Sequence, residues 1–462
     1  MRLNSPGGGQ LIKIERVIVV MITDFKHQNT PIDFKVVKDK IKASGIPSIG
    51  NGTIREIVKV ANEIQQASGE KFIRMEMGVP GLAPPEVGIN GEIDALKNGV
   101  AAKYPMLEGI LSLKKEASRF IKLFMDVEVP EDCCIPTVGS MQGGYASFMI
   151  LGNMDAQKDT ILFLDPGFPV QKQQLNVLGQ KYEAFDVYTH RGAKLEAKLE
   201  AYCAKGNISG IIYSNPNNPS WICFNDDELK IIAKVADKYD VIVIEDLAYF
   251  AMDFRKDLSM PGKAPFQSTI AKYTTNYILL ISSSKTFSYA GQRVGLLAIS
   301  PDVYARQSPY LKERFGSDKF GYTLIYKILY SLSSGTSHSA QYGLAAMLKA
   351  ANDGEFDFVE NVRVYGERAV AIKELFKKAG FEIVYSMDLE EVLGDGFYFT
   401  VSFPGMTGAE LVERLLYYGV SAIALSGTGS EYEGMRVCMS QVGKDEFHIL
   451  AARLEQFGSD YK

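Results

Sequence analysis

The stretch SSSKTFSYAGQRVG, residues 282–295, sets Lys285 among serines directly after the apolar run YILLI and brings a second cation, Arg293, soon after it. A lysine at the end of a strand is ordinarily a solvated charge. If it is enclosed instead, desolvation and a neighbouring cation lower its pKa from about 10.4, and the neutral amine becomes a nucleophile toward carbonyls. Arg293 supplies such a cation and can also clamp a phosphate through two parallel N–H bonds. An amine that captures a carbonyl beside a phosphate site is what pyridoxal phosphate requires. Two more polar loops, NPNNP at 215–219 and EDLAY at 245–249, also follow apolar β-rich runs. Ligands of open α/β sheets bind outside the carboxyl ends of the strands. Taken singly, each loop reads equally as a turn rich in Asn, Pro and Ser.

The elements that must position these loops form an α/β pattern. Short runs such as ILFL, GIIYS, VIVIE and YILLI alternate with helical stretches such as DDELKIIAKVADKYD. Buried, near-continuous apolar strands of this kind predict a mostly parallel sheet covered by helices. From about residue 339 the pattern changes to long amphipathic helices followed by scattered strands (FYFTVSF, MRVCMSQ), which predicts a smaller α+β domain. A helical segment, NGTIREIVKVANEI, precedes the sheet region and is expected to pack on that smaller domain. The expected organisation is therefore an early segment 1–25, disordered or adding a strand; an N-terminal segment 26–84 packing on the small domain; a large domain 85–330; and a small domain 331–462.

With 462 residues, 46% hydrophobic, the chain can bury a large core. A formal charge of −5 with both signs interspersed leaves no basic stripe for nucleic acid and no membrane patch, so small-molecule partners are favoured. Cys133, Cys134, Cys203, Cys223 and Cys438 form no CxxC pair and no metal-spaced cluster with the four histidines, so they read as reduced thiols and no metal is expected. The apolar run VIVVMI is too short to span a bilayer and lacks a clear cleavage site; a cytoplasmic location follows by default.

SSSKTFSYAGQRVG resembles the lysine signature of the fold-type I, class I/II pyridoxal-phosphate aminotransferases, and the resemblance runs over roughly residues 45–460. It implies that Lys285 carries the cofactor and shuttles a proton, that Ser282 bonds the cofactor phosphate and that Arg293 pairs with it. In IEDLAYF, Asp246 matches the carboxylate that keeps the pyridine nitrogen protonated, and Tyr249 a donor to the ring hydroxyl oxygen; Asn218 of NPNNP matches a second such donor. The alternatives are a helix-capping Asp246 and a turn-forming Asn218. PTVGSMQGGYASFMIL resembles the family's first phosphate loop, in which Gly139, Ser140 and Met141 offer backbone N–H groups at a helix N-terminus. KYPMLEGILSLKKE places Tyr104 where the family's tyrosine reaches the neighbouring subunit's phosphate, which implies a homodimer with shared sites; otherwise Tyr104 is an ordinary loop aromatic. DPGFP gives Phe168 as the aromatic stacked on the cofactor ring, or else a core residue. GMRVCMSQ gives Arg436 as the substrate carboxylate binder, unless it is a surface arginine, and MEMGVPG gives Gly78 as backbone beside that carboxylate.

One departure stands out. Where the family commonly has NPTG, this chain reads NPSW, and Trp221 replaces a residue free to bend. Trp221 either forms an apolar wall by the cofactor's hydroxyl side or turns outward over the loop. The implied activity is transfer of an amino group between an L-amino acid and a 2-oxo acid by a ping-pong mechanism. The alternatives are a carbon–sulfur lyase or decarboxylase on the same fold and, of another class, a non-catalytic sensing domain. No motif fixes the side-chain specificity.

Overall fold

The computed structural model describes residues 29–462; the early segment 1–25 lies outside the described residues. Seven strands form the main sheet: β1 (Cys134–Thr137), β2 (Thr160–Asp165), β3 (Lys181–Asp186), β4 (Ile208–Ser214), β5 (Ile242–Leu247), β6 (Tyr277–Ser282) and β7 (Gly295–Ile299). Their spatial order is β1-β7-β6-β5-β4-β2-β3, and β7 alone runs against the others. Strands β2, β4, β5 and β6 are buried along their whole length, which is why they read as unbroken apolar runs. Helices cover both faces. Asp226–Tyr239 starts at a reciprocal cap in which Asn225 accepts from the Glu228 N–H and Glu228 answers the Asn225 N–H.

A second apolar core gathers at the chain's two ends. Ile57, Val60 and Ile64 of the helix Ile54–Ser68 meet Leu411, Leu415 and Phe457 there. This core backs a four-stranded antiparallel sheet in the order Ile423–Ala424, Met435–Cys438, Tyr398–Ser402, Glu382–Ile383. Ion pairs tie a hairpin of the C-terminal region to the main-sheet part of the chain. Asp388, from the hairpin Met387–Asp388 and Glu391–Val392, accepts from Arg191 at 2.9 Å and from Arg255 at 2.8 Å, while Arg191 also grips Glu228 with two bonds of 2.6 Å. No helix among the described residues is long and apolar enough to cross a membrane.

Candidate active site

The carboxyl ends of β2, β4, β5 and β6 carry the loops singled out in the sequence. After β6 the chain leaves the sheet and is folded back on itself: Ser283 Oγ donates to Val294 O at 2.5 Å, and Ser282 Oγ accepts from Ser284 N at 3.2 Å. Two phenylalanines anchor the loops that bear Tyr249 and Lys285. Phe250 and Phe287 sit in one aromatic cluster with Phe120, at centroid distances of 5.0 and 6.1 Å. Thr286 Oγ1 ties the two loops together by donating to Phe250 O at 3.0 Å. Each buried phenylalanine contributes about 1.5–3 kcal/mol, so the reactive side chains project from backbone that has little freedom to move.

Lys285 is partly buried and its Nζ donates to Gly78 O. Burial, aided by Arg293 and Arg436 and opposed by Cys438, brings the amine down to about 8. Asp246 is buried on β5; its Oδ2 accepts from Gln171 Nε2 at 2.8 Å and its Oδ1 from Ala248 N at 3.1 Å. With amide donors and no cation beside it, burial pushes its carboxyl up to about 6. Its contacts are those of a held, uncompensated charge and not of a helix cap. The adjacent Glu245 points to the other face of the sheet, where Thr269 and Ile270 hold it.

Arg436 is 1% exposed, which removes the surface-arginine alternative. Its Nη1 donates to Asn218 Oδ1 at 3.1 Å and its Nη2 to Glu76 O at 2.5 Å, while Nε has no partner. The guanidinium lies over the Tyr398 ring, 4.5 Å from the centroid. No carboxylate pairs with it among the described residues, so a buried cation is left with capacity for an anion.

At the end of β1, Gly139 adopts φ +68 and opens the helix Gly139–Leu151, which has no side-chain cap. Its positive φ favours glycine, and the exposed Arg293 guanidinium lies close against it, 2.5 Å from where a Cβ would stand. The N–H groups of Gly139, Ser140 and Met141, with Arg293 and the β6 terminus at Ser282, form a cradle suited to a phosphate. Phe168, partly exposed, precedes the helix Pro169–Leu178 that carries Gln171. The structure thus links Lys285 to Gly78, Arg436 to Asn218 and, through Tyr398, Arg436 to Tyr249, with Asp246 on the neighbouring strand end and Arg293 lying against Gly139. Tyr104 stands apart, 89% exposed.

Trp221 turns inward. It is 1% exposed at φ +68, and its ring packs edge-on to Tyr249 (5.3 Å) and Tyr398 (6.2 Å). A Cβ on Gly396 would reach within 2.0 Å of the indole, so glycine there makes the room. Two residues escaped the sequence reading. Gln171 lies three positions after Phe168, on the same face of a new helix. Tyr398 lies two residues from Thr400, the register partner of Arg436, and so shares its face of the small sheet.

These residues fit pyridoxal phosphate on their own chemistry: a carbonyl-reactive amine, a carboxylate awaiting a cation, a cradle for a dianion. Residues 70–454 match the family model described as aminotransferase class I and II. A probable aspartate aminotransferase of Methanocaldococcus jannaschii is 24% identical over 336 residues, 72% of this chain and 80% of that protein. An LL-diaminopimelate aminotransferase of Natranaerobius thermophilus is 27% identical over 360 residues, 74% of this chain and 83% of that protein. Among solved structures, an aspartate aminotransferase of Thermotoga maritima superposes with a TM-score of 0.70 at 20% identity, over 90% of this chain and 98% of that one. With the fold, the lysine loop and the family match in agreement, the chain belongs to the class I and II aminotransferases.

Proposed function

We propose that this chain is a pyridoxal-phosphate-dependent transaminase that exchanges an amino group between an L-amino acid and a 2-oxo acid. The observation that carries this reading is that Lys285, Asp246 and Arg436 are each enclosed with only neutral hydrogen-bond partners and no ion-pair partner among the described residues. The bound cofactor supplies an aldehyde carbon for an amine and a ring that accepts electrons from the substrate Cα. Lys285 Nζ would hold the cofactor through its aldehyde and, as a neutral amine, would be the base that holds and moves the substrate Cα proton. Asp246 would hold the ring nitrogen in its protonated form, Tyr249 and Asn218 would donate to the ring oxygen, and Phe168 would stack on the ring. Gly139, Ser140, Met141, Ser282 and Arg293 bind the phosphate.

Arg436 orients the substrate by its α-carboxylate, which replaces the anion the guanidinium lacks, and Gly78 leaves room beside it. The ping-pong order follows from one such carboxylate site serving both oxo acids in turn. Tyr104, exposed together with Met106 and Leu111, supports a homodimer in which each subunit lends this tyrosine to its partner. Five free cysteines accord with a cytoplasmic enzyme.

The deciding experiment is a screen of L-amino acids against 2-oxoglutarate and pyruvate with the reconstituted protein. A new amino acid should form only when an oxo-acid acceptor is present. The second reading, a carbon–sulfur lyase, draws on a match of 26% identity over 211 residues to an S-alkyl-thiohydroximate lyase of Arabidopsis thaliana. It predicts cleavage products with no acceptor added.

A further inference from the structure

Tyr398, on the small-domain strand Tyr398–Ser402, belongs to none of the sequence motifs yet touches both halves of the site. Tyr249 donates its hydroxyl proton to the Tyr398 hydroxyl at 2.8 Å, and both side chains are buried. The same ring carries the Arg436 guanidinium on its face at 4.5 Å. Its hydroxyl is seated where only a glycine backbone passes, since a Cβ on Gly78 would lie 1.9 Å from it. Trp221, edge-on to both tyrosines, closes the space behind them. The departure from the family's glycine therefore builds a wall for a tyrosine pair and not a surface of the substrate pocket.

Resting on the transaminase reading, we propose that Tyr398 is a positioning residue: its hydroxyl sets the strength with which Tyr249 donates to the cofactor's ring oxygen, while its ring holds Arg436 for the substrate carboxylate. A phenol has one proton and two lone pairs. When Tyr249 turns its proton to the ring oxygen, it can no longer donate to Tyr398, and the Tyr398 O–H is then the group in place to donate to the Tyr249 oxygen. Hydrogen bonds in such a chain polarise one another, so Tyr249 becomes the stronger donor. The charged and titratable groups that act on both hydroxyls are Arg436 and Cys438, from the facing strand Met435–Cys438. A donor to the ring oxygen stabilises its negative charge and lowers the pH at which the bound chromophore gives up its proton.

The test follows the long-wavelength absorbance of the reconstituted protein against pH in wild type, Tyr249→Phe, Tyr398→Phe and the double variant. Tyr398→Phe should move the midpoint upward, by less than Tyr249→Phe does, and the double variant should match Tyr249→Phe alone because Tyr398 acts through Tyr249. Acetate, as a probe of Arg436, should bind Tyr398→Phe within about twofold of wild type, since the ring remains, and Tyr398→Leu at least about tenfold more weakly. An unmoved midpoint in Tyr398→Phe, or shifts that simply add in the double variant, would overturn the inference while leaving the transaminase reading intact. Wild-type protein that takes up no chromophore would refute both.

Discussion

In cofactor-free protein, Lys285 should react with a carbonyl probe at a pH where surface lysines remain protonated. Burial is the largest cause of its lowered pKa, and Arg293 and Arg436 add to it, so that the amine falls from 10.5 to about 8. At pH 7 an amine with a pKa of about 8 is neutral in about one molecule in ten, against about one in three thousand at 10.5, an advantage of about 300-fold. The assay exposes the protein to limiting pyridoxal, which lacks the phosphate and so leaves the phosphate cradle out of the competition. Borohydride fixes what has formed, and labelled peptides are counted by mass spectrometry across a pH series. The yield at Lys285 should level off above a midpoint near 8, while surface lysines continue to climb toward pH 10. Arg293→Gln removes one like charge from an exposed position and should raise the midpoint, yet by less than the distance back to 10.5, because burial remains. A Lys285 yield that rises in parallel with surface lysines would refute the claim that its environment makes it a nucleophile.

Three further outcomes follow from the same geometry. Burial raises the folded carboxyl of Asp246 to about 6 from 3.8. Its protonated form is therefore favoured fully below about pH 3.8, and this contribution is lost as pH rises through 6. Asp246→Asn should then stabilise the cofactor-free protein at pH 7 by at most about 3 kcal/mol, with the gain gone near pH 4, as read by urea unfolding at both values. Trp221 is the chain's one tryptophan and lies 5.3 Å from Tyr249, so cofactor uptake should quench its emission, whereas an unchanged emission would place the cofactor elsewhere. A heterodimer of Lys285→Ala and Tyr104→Phe subunits should run at about half the parental rate per dimer if Tyr104 serves the neighbouring site; half the rate of the Tyr104→Phe homodimer would show that it serves its own.

The main sheet was legible because strands buried on both faces must be apolar throughout, and the site because Lys285, Asp246 and Asn218 each follow such a strand directly. Because β4, β5 and β6 are neighbours in the sheet, the chain order of these three motifs is also their order along its edge. Arg436 was recognised by its motif, but its unpaired burial depends on Asn218 and Glu76 meeting it from distant parts of the chain, which spacing does not reveal. Trp221 was ambiguous for a similar reason. Whether an indole turns in or out depends on the room left by Gly396, 175 residues later (396 − 221). Gln171 and Tyr398 went unnoticed because neither lies in a polar loop: one begins a helix and the other sits within an apolar strand. Only three-dimensional packing brings their polar ends to Asp246 and Tyr249.

The central claim, that these residues together move an amino group and do not merely bind a cofactor, is tested most directly with a nitrogen-labelled L-amino acid and an unlabelled 2-oxo acid. The reconstituted protein should deliver the label to the new amino acid, and Lys285→Ala protein that still binds the cofactor should deliver none. Label released as ammonium, or transfer that persists undiminished without Lys285, would contradict that claim.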